Sequence, residues 1–237
     1  MKSGTHFHFK QFSVRHDKCT MKVGTDAVLL AAWADVSAAH QILDIGTGSG
    51  VIALMIAQRT LPSAHIEAVE IEKESADQAA ENFGSSPWRS RLKLHQLAIQ
   101  EFFPSLRFDL ITTNPPYFNK SLEPPCKKRH HVRHTVTLTY EDLLCAVERL
   151  LTSNGKFNLI LPYNEAILFS DLALQYGLFC NRRYNFKTRN EKPFERTLME
   201  FSKQAQSVET GEILLYDKGV QWSSSYQHLI SEFYIKG

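Results

Sequence analysis

Short apolar runs alternate with helical patterns along most of the chain. Residues 41–45, 65–70, 91–95, 108–112 and 156–161 read as strands, the last stopped by Pro162. Between them, residues 51–58, 73–83 and 141–151 carry helical spacing, as do residues 164–176, where Gly177 supplies a C-terminal stop. Upstream, the amphipathic pattern 27–33 predicts a helix with Thr25 or Asp26 as its N-cap. Residues 179–186 and 196–201 are two further strands with no helix between them, which predicts a hairpin, and a short helix is expected over 226–234. Strands alternating with helices imply an α/β fold, a mainly parallel sheet with helices on both faces.

The length of 237 residues suits one sizeable α/β domain spanning 1–237, with no repeat or linker to divide it. Residues 1–20 are polar and aromatic and are expected to form an N-terminal arm. Net charge is only +2, so the chain lacks the strongly basic signature of a protein that coats nucleic acid, and any such contact must come from a local patch. Cys19, Cys126, Cys145 and Cys180 are widely separated with no CxxC pair, which argues against a zinc ribbon or a disulfide scaffold; no metal is expected. The segment 1–12 has no apolar h-region and no run is long enough to span a bilayer, so a cytoplasmic protein without a membrane partner is expected.

Asp44-Ile45-Gly46-Thr47-Gly48-Ser49-Gly50 follows the first apolar strand and opens a helix. Glycines there let the backbone turn sharply and approach a ligand, and the helix N-terminus directs its N–H groups back into the turn. The GxGxG spacing differs from the GxGxxG of dinucleotide folds, and the Lys-Ser/Thr ending of a phosphate P-loop is absent. Asp44 would sit badly beside a pyrophosphate but suits a ligand carrying positive charge. Glu70, ending the next strand, can accept hydrogen bonds from both ribose hydroxyls of an adenosine; the blander reading is a surface carboxylate, with Glu67, Glu72 and Glu74 close by.

Asn114-Pro115-Pro116-Tyr117 follows the fourth strand directly. Two prolines stiffen the loop and remove donors, leaving carbonyls to accept. Asn114 and the Pro115 carbonyl can together hold an –NH2 group, while Tyr117 stacks on the plane that carries it. Two acceptors aimed at an exocyclic amine pull its nitrogen toward tetrahedral geometry and stabilise the charge that develops on attack. Alone, the motif would be no more than a rigid loop ending a strand; after a glycine turn and a spaced acid it points to amino-group chemistry.

In that order, Asp44–Gly50, Glu70 and Asn114–Tyr117 resemble the motifs of the class I, Rossmann-like, S-adenosylmethionine-dependent methyltransferases that act on amino nitrogens. The narrower resemblance is to the bacterial family that methylates N6 of adenine in valine tRNA, at the nucleotide just 3′ of the anticodon. It is carried by Phe7-His8-Phe9-Lys10-Gln11-Phe12 with His16-Asp17, by Met21-Lys22-Val23-Gly24-Thr25-Asp26 with the run 29–34, and by residues 44–59. The resemblance implies a doubly wound sheet of seven strands with the last antiparallel, S-adenosylmethionine as cofactor, and the tRNA anticodon loop as partner of a monomer. It assigns cofactor contacts to Asp44, Gly46, Thr47, Gly48, Gly50 and Glu70, and to Thr25 and Lys22 in a segment folding over the methionine end. Asn114, Pro115 and Tyr117 become the catalytic set. One departure stands out. Family members usually carry an acid after the third strand to bind the cofactor's adenine amino group, and here Ala98 stands in that place, leaving a backbone group, Gln96 or Gln100 to substitute.

The densest basic run, Lys127-Lys128-Arg129-His130-His131-Val132-Arg133-His134, follows the NPPY motif; Pro116, Lys127, Lys128, Arg129 and Arg133 are expected to meet RNA. A second set, Arg182, Arg183, Lys187, Arg189 and Lys192 among Tyr184, Phe186 and Phe194, reads equally as a single-stranded RNA surface or as the exposed face of a strand. A glutamine-N5 protein methyltransferase, a guanine-N2 rRNA methyltransferase and a non-catalytic RNA-binding protein on the same fold are the competing readings, while a nicotinamide dehydrogenase is disfavoured by the glycine spacing.

Overall fold

The computed structural model describes residues 5–19, 21–116 and 138–234. The chain opens with a hairpin, β1 (His6–His8) and β2 (Ser13–Arg15), and then α1 (Thr25–Trp33). The core follows as β3 (Gln41–Ile45), α2 (Val51–Arg59), β4 (His65–Glu70), α3 (Lys73–Gly84), β5 (Leu92–Gln96) and β6 (Phe108–Thr113). Beyond it come α4 (Tyr140–Leu150), β7 (Leu151–Pro162), α5 (Tyr163–Leu174), β8 (Phe179–Lys187), β9 (Arg196–Ser202), β10 (Glu209–Leu214) and α6 (Ser224–Ile230).

One eight-stranded sheet has the order β10-β8-β9-β7-β6-β3-β4-β5. The pairs among β3, β4, β5, β6 and β7 are parallel, and β9 runs antiparallel to both β7 and β8. This is the doubly wound arrangement, with the strand order reversing between β3 and β6. All seven expected strands are present, and an eighth, β10, pairs in parallel with the outer edge of β8. The sequence Glu-Thr-Gly-Glu-Ile-Leu hides it, because only Ile213 is buried and an edge strand needs no apolar alternation.

Side-chain alternation divides the core between the two faces of the sheet. Ile42, Leu110, Ile160 and Leu198 pack with α1, α2 and α6 on one face; Leu43, Ile111, Leu159 and Met199 pack with α4 and α5 on the other. α2 is buried along Val51–Ala57 because it lies against both the sheet and α1. α4 is amphipathic and starts with a capping box, in which the Thr139 hydroxyl accepts the Asp142 N–H at 3.0 Å and the Asp142 carboxylate accepts the Thr139 N–H at 3.4 Å. Gly177 takes φ 66° just beyond α5, and the Leu178 N–H reaches back to the Ala173 carbonyl at 3.1 Å.

Two sequence expectations change. α1 has Gly24 as its N-cap and no side-chain cap, because Asp26 instead pairs with Arg196 at 2.8 Å. Residues 5–19, expected to be an arm, are packed. Phe9, Phe12 and Val14 are buried, the Phe9 and Phe12 rings stack at 4.5 Å, and Phe12 meets the edge of Trp88. Asn82 clasps the Arg15 backbone through its N–H and carbonyl, both at 2.9 Å, and Lys10 N–H donates to the Phe233 carbonyl at 2.8 Å. The hairpin thus ties α3 to the end of the chain, and residues 21–24 leave it directly over the glycine turn.

Candidate active site

The turn after β3 is held from below. Gly46 and Thr47 donate their N–H groups to the Val69 carbonyl at 2.9 and 3.1 Å, and Gly50 N–H closes on the Thr47 carbonyl at 2.8 Å. Gly46, Gly48 and Gly50 take φ of 67°, 55° and 81°, a region in which side chains with a Cβ are strained. At Gly46 and Gly48 an added Cβ would meet no atom within 4 Å, so the turn is open there; at Gly50 it would lie 2.5 Å from the Phe83 ring.

Above the turn lies a cavity of about 370 Å³, within the range of small-molecule sites. Gly46, Thr47, Gly48 and Ser49 form its floor, with Val51 and Ile52 from the first turn of α2. Lys22, Gly24, Thr25 and Asp26 form one wall, and Asn114 reaches in from the end of β6. Asn114 is half-buried and Pro115 buried, while Pro116 is exposed. The preceding Thr113 donates its hydroxyl to the Ile45 carbonyl at 2.8 Å, which fixes the end of β6 against the end of β3. Three segments far apart in sequence therefore meet, and the parallel register of β3 with β6 explains why the two motifs do so.

Asp44 is placed differently from its sequence reading. It is fully buried under the turn, on the α1 and α2 face, and is not among the residues lining the cavity. Its carboxylate accepts the Thr47 hydroxyl at 2.6 Å and the Thr112 hydroxyl at 3.3 Å, so it shapes the turn and does not face a cationic ligand directly. Burial pushes it up to about 7, against the lowering effect of Thr47, Thr112 and the Ala53 N–H and with a further upward push from Glu70. Its carboxyl therefore holds a proton more tightly folded than unfolded. The resulting stability is fully present below the ordinary carboxylate pKa and is lost as pH rises from about 4 through about 7. Asp44→Asn should be more stable than wild type at pH 8 and show that advantage shrink toward pH 4; parallel melting-temperature profiles for the two proteins would remove Asp44 as the source.

Glu70, nearly buried, accepts the Gly48 N–H at 2.8 Å on one oxygen and the Glu72 N–H at 3.0 Å on the other. Each carboxylate oxygen keeps a second acceptor position. Glu70, like Asp44, is not among the residues lining the cavity; it adjoins the open glycine floor through Gly48, and that floor with the helix N-terminus is what the cavity offers an adenosine-bearing sulfonium ligand. Ala98 caps a single 3₁₀ turn, Ile99–Glu101, beyond β5, and it has no polar side-chain atom to offer the adenine amino group.

The sequence did not point to the remaining wall. Phe186, Thr188, Glu195, Arg196 and Leu215 close the cavity from the β8–β9 hairpin and the end of β10. Only the Arg196–Asp26 pair could have hinted at it, and pairing across such a separation is invisible without the fold. Tyr117, Lys127, Lys128, Arg129 and Arg133 lie outside the described residues.

The family model described as "Methyltransferase small domain" matches residues 18–167. A tRNA1(Val) (adenine(37)-N6)-methyltransferase of Histophilus somni is 40% identical over 97% of both chains. A protein of the same name from Bacteroides thetaiotaomicron is 43% identical over the same shares. Among solved structures, a protein of Agrobacterium tumefaciens described as a predicted O-methyltransferase superposes with a TM-score of 0.67 at 18% identity, covering 88% of this chain and 96% of its own. That likeness concerns the fold.

Proposed function

Because this chain belongs to the tRNA1(Val) (adenine(37)-N6)-methyltransferase family, we propose that it transfers a methyl group from S-adenosylmethionine to N6 of adenine 37 in valine tRNA. The observation that carries the reading is that Asn114 of the NPPY motif and the open glycine turn line the same cavity. When bound, S-adenosylmethionine supplies an electrophilic methyl group on a sulfonium. Gly46–Gly48 and Glu70 orient the donor, and Lys22 and Thr25 cover it from the opposite wall. The Asn114 side-chain oxygen and the Pro115 carbonyl accept hydrogen bonds from the two amino hydrogens of the target. They draw its lone pair out of conjugation and stabilise the positive charge that builds on nitrogen. The nitrogen would bond to the methyl carbon as the methyl–sulfur bond breaks and a neutral thioether leaves, and it would release one proton to water, so no strongly basic side chain is needed.

The target base must leave any stack to reach Asn114, which costs least in a single-stranded loop. Among the described residues no helix is long and apolar enough to cross a membrane; we place the enzyme in the cytoplasm with its tRNA. We further propose that it acts as a monomer.

The test is methyl transfer from labelled S-adenosylmethionine into tRNA from a strain lacking the gene, followed by nucleoside analysis and mapping. N6-methyladenosine at the position after the anticodon of valine tRNA is the expected product. Label found in rRNA or a release factor instead would retain the chemistry and reject this substrate.

A further inference from the structure

The β8–β9 hairpin closes the cavity, yet the proposed chemistry leaves its cations unused. Its tip, residues 188–195, stands at the carboxyl end of β7, where Pro162 pairs with Arg196. The tip is seated firmly. Tyr163 N–H donates to the Glu195 carbonyl at 3.2 Å, Phe194 packs on the Tyr163 ring at 5.4 Å, and the Glu195 carboxylate accepts the Thr188 hydroxyl at 2.6 Å.

The inner side of the tip is cavity wall, through Thr188, Glu195 and Arg196. Arg183 is exposed on β8, and three nearby cations of this hairpin are neutralised: Arg182 by Glu209 at 3.3 Å, Arg196 by Asp26 at 2.8 Å, and Lys187 by Glu212 at 3.5 Å. Arg189 and Lys192 are not. Among the described residues, neither has a carboxylate within ion-pairing distance. The Arg189 guanidinium lies 5.2 Å from the centre of the Tyr216 ring, and Lys192 is exposed, its N–H donating to the Arg189 carbonyl at 3.1 Å. A guanidinium kept near an aromatic ring and left without a carboxylate partner is available to a phosphate, and the exposed Lys192 three residues on adds a second positive charge to the same turn.

A nucleotide whose base enters the cavity beside Asn114 must bring its own phosphodiesters across this rim. We propose that Arg189 and Lys192 bind backbone phosphates flanking the target nucleotide, so that the hairpin tip positions the base for methylation. The proposal rests on RNA being the substrate.

The test compares the full chain with R189A/K192A, with K192E, and with R107E as a control; Arg107 is exposed at the amino end of β6, away from the cavity. Binding to valine tRNA is measured across a salt series, with steady-state kinetics alongside. R189A/K192A should raise Kd and KM for tRNA roughly 10- to 100-fold, with kcat and cofactor affinity within about two-fold. The slope of log Kd against log salt should fall by about two, one for each phosphate contact. Loss of Arg189 packing on Tyr216 alone would lower the melting temperature without moving that slope. K192E, on an exposed turn, gives the same answer should the double variant fold poorly. Wild-type binding and slope in both variants would overturn the proposal, as would an equal loss in R107E. Altered binding in the variants, with no methylation of tRNA by wild type, would reject the proposed activity while keeping the RNA contact.

Discussion

Asn114→Ala is expected to lower kcat for tRNA methylation by about 10²–10³-fold, comparable to removing one pre-organised hydrogen-bonding group from an active site, while S-adenosylmethionine affinity stays within a few-fold. The side chain is half-buried at the end of β6 and lines the same cavity as Lys22 and Thr25. The preceding Thr113, bonded to the Ile45 carbonyl at 2.8 Å, holds the backbone independently of the amide, so truncation should leave the glycine turn in place. Asn114→Asp keeps an acceptor oxygen and should retain more activity than the alanine variant. Rate measurements at saturating tRNA, together with calorimetric titration of the cofactor, separate the two effects. Normal turnover by Asn114→Ala would remove Asn114 from the mechanism, and parallel loss of cofactor binding would make it a scaffold residue.

The second large effect is one of stability. Gly50→Ala should destabilise the protein by roughly 2–5 kcal/mol, combining left-handed backbone strain with overpacking of the core. Gly50 has φ 81° and caps α2, and an added Cβ would lie 2.5 Å from the ring of Phe83, a side chain that is itself buried. For a domain of this size the melting temperature should fall by about 5–15 °C. Phe83→Leu relieves the clash but not the strain, so Gly50→Ala/Phe83→Leu should lose less than the two single variants together. Strict additivity in that cycle would show that backbone strain alone carries the cost. Gly46 and Gly48 face open space, so alanine there should cost less stability and act mainly on cofactor binding.

Much of this architecture was legible before folding. β3, β4, β6 and β9 read clearly because each carries an adjacent apolar pair, Ile42–Leu43, Ala68–Val69, Leu110–Ile111 and Leu198–Met199, as a strand covered on both faces needs. The stop at Gly177 and the positions of the glycine turn and NPPY motif after their strands were equally local. The N-terminal aromatics read as an arm because nothing near them in sequence announces a partner; Phe12 is buried by Trp88, and Lys10 is anchored by Phe233. β10 was missed because an edge strand with one buried side chain has no pattern to find.

By itself the sequence determined the order of strands and helices, the two motifs at strand ends, and the family, since each depends on residues that are neighbours in the chain. The tertiary structure alone decided which chemistry-bearing groups share a space. Asp44 and Ile42 point to the same face by strand alternation, and that face is covered by α1 and α2, so the carboxylate lies under the turn and not in the cavity. Phe186, Thr188, Glu195 and Arg196 reach the cavity because β9 inserts antiparallel between β7 and β8, a pairing set by register between segments distant in sequence. Contacts of that kind are made by closing long loops around a common core, and no local preference encodes them.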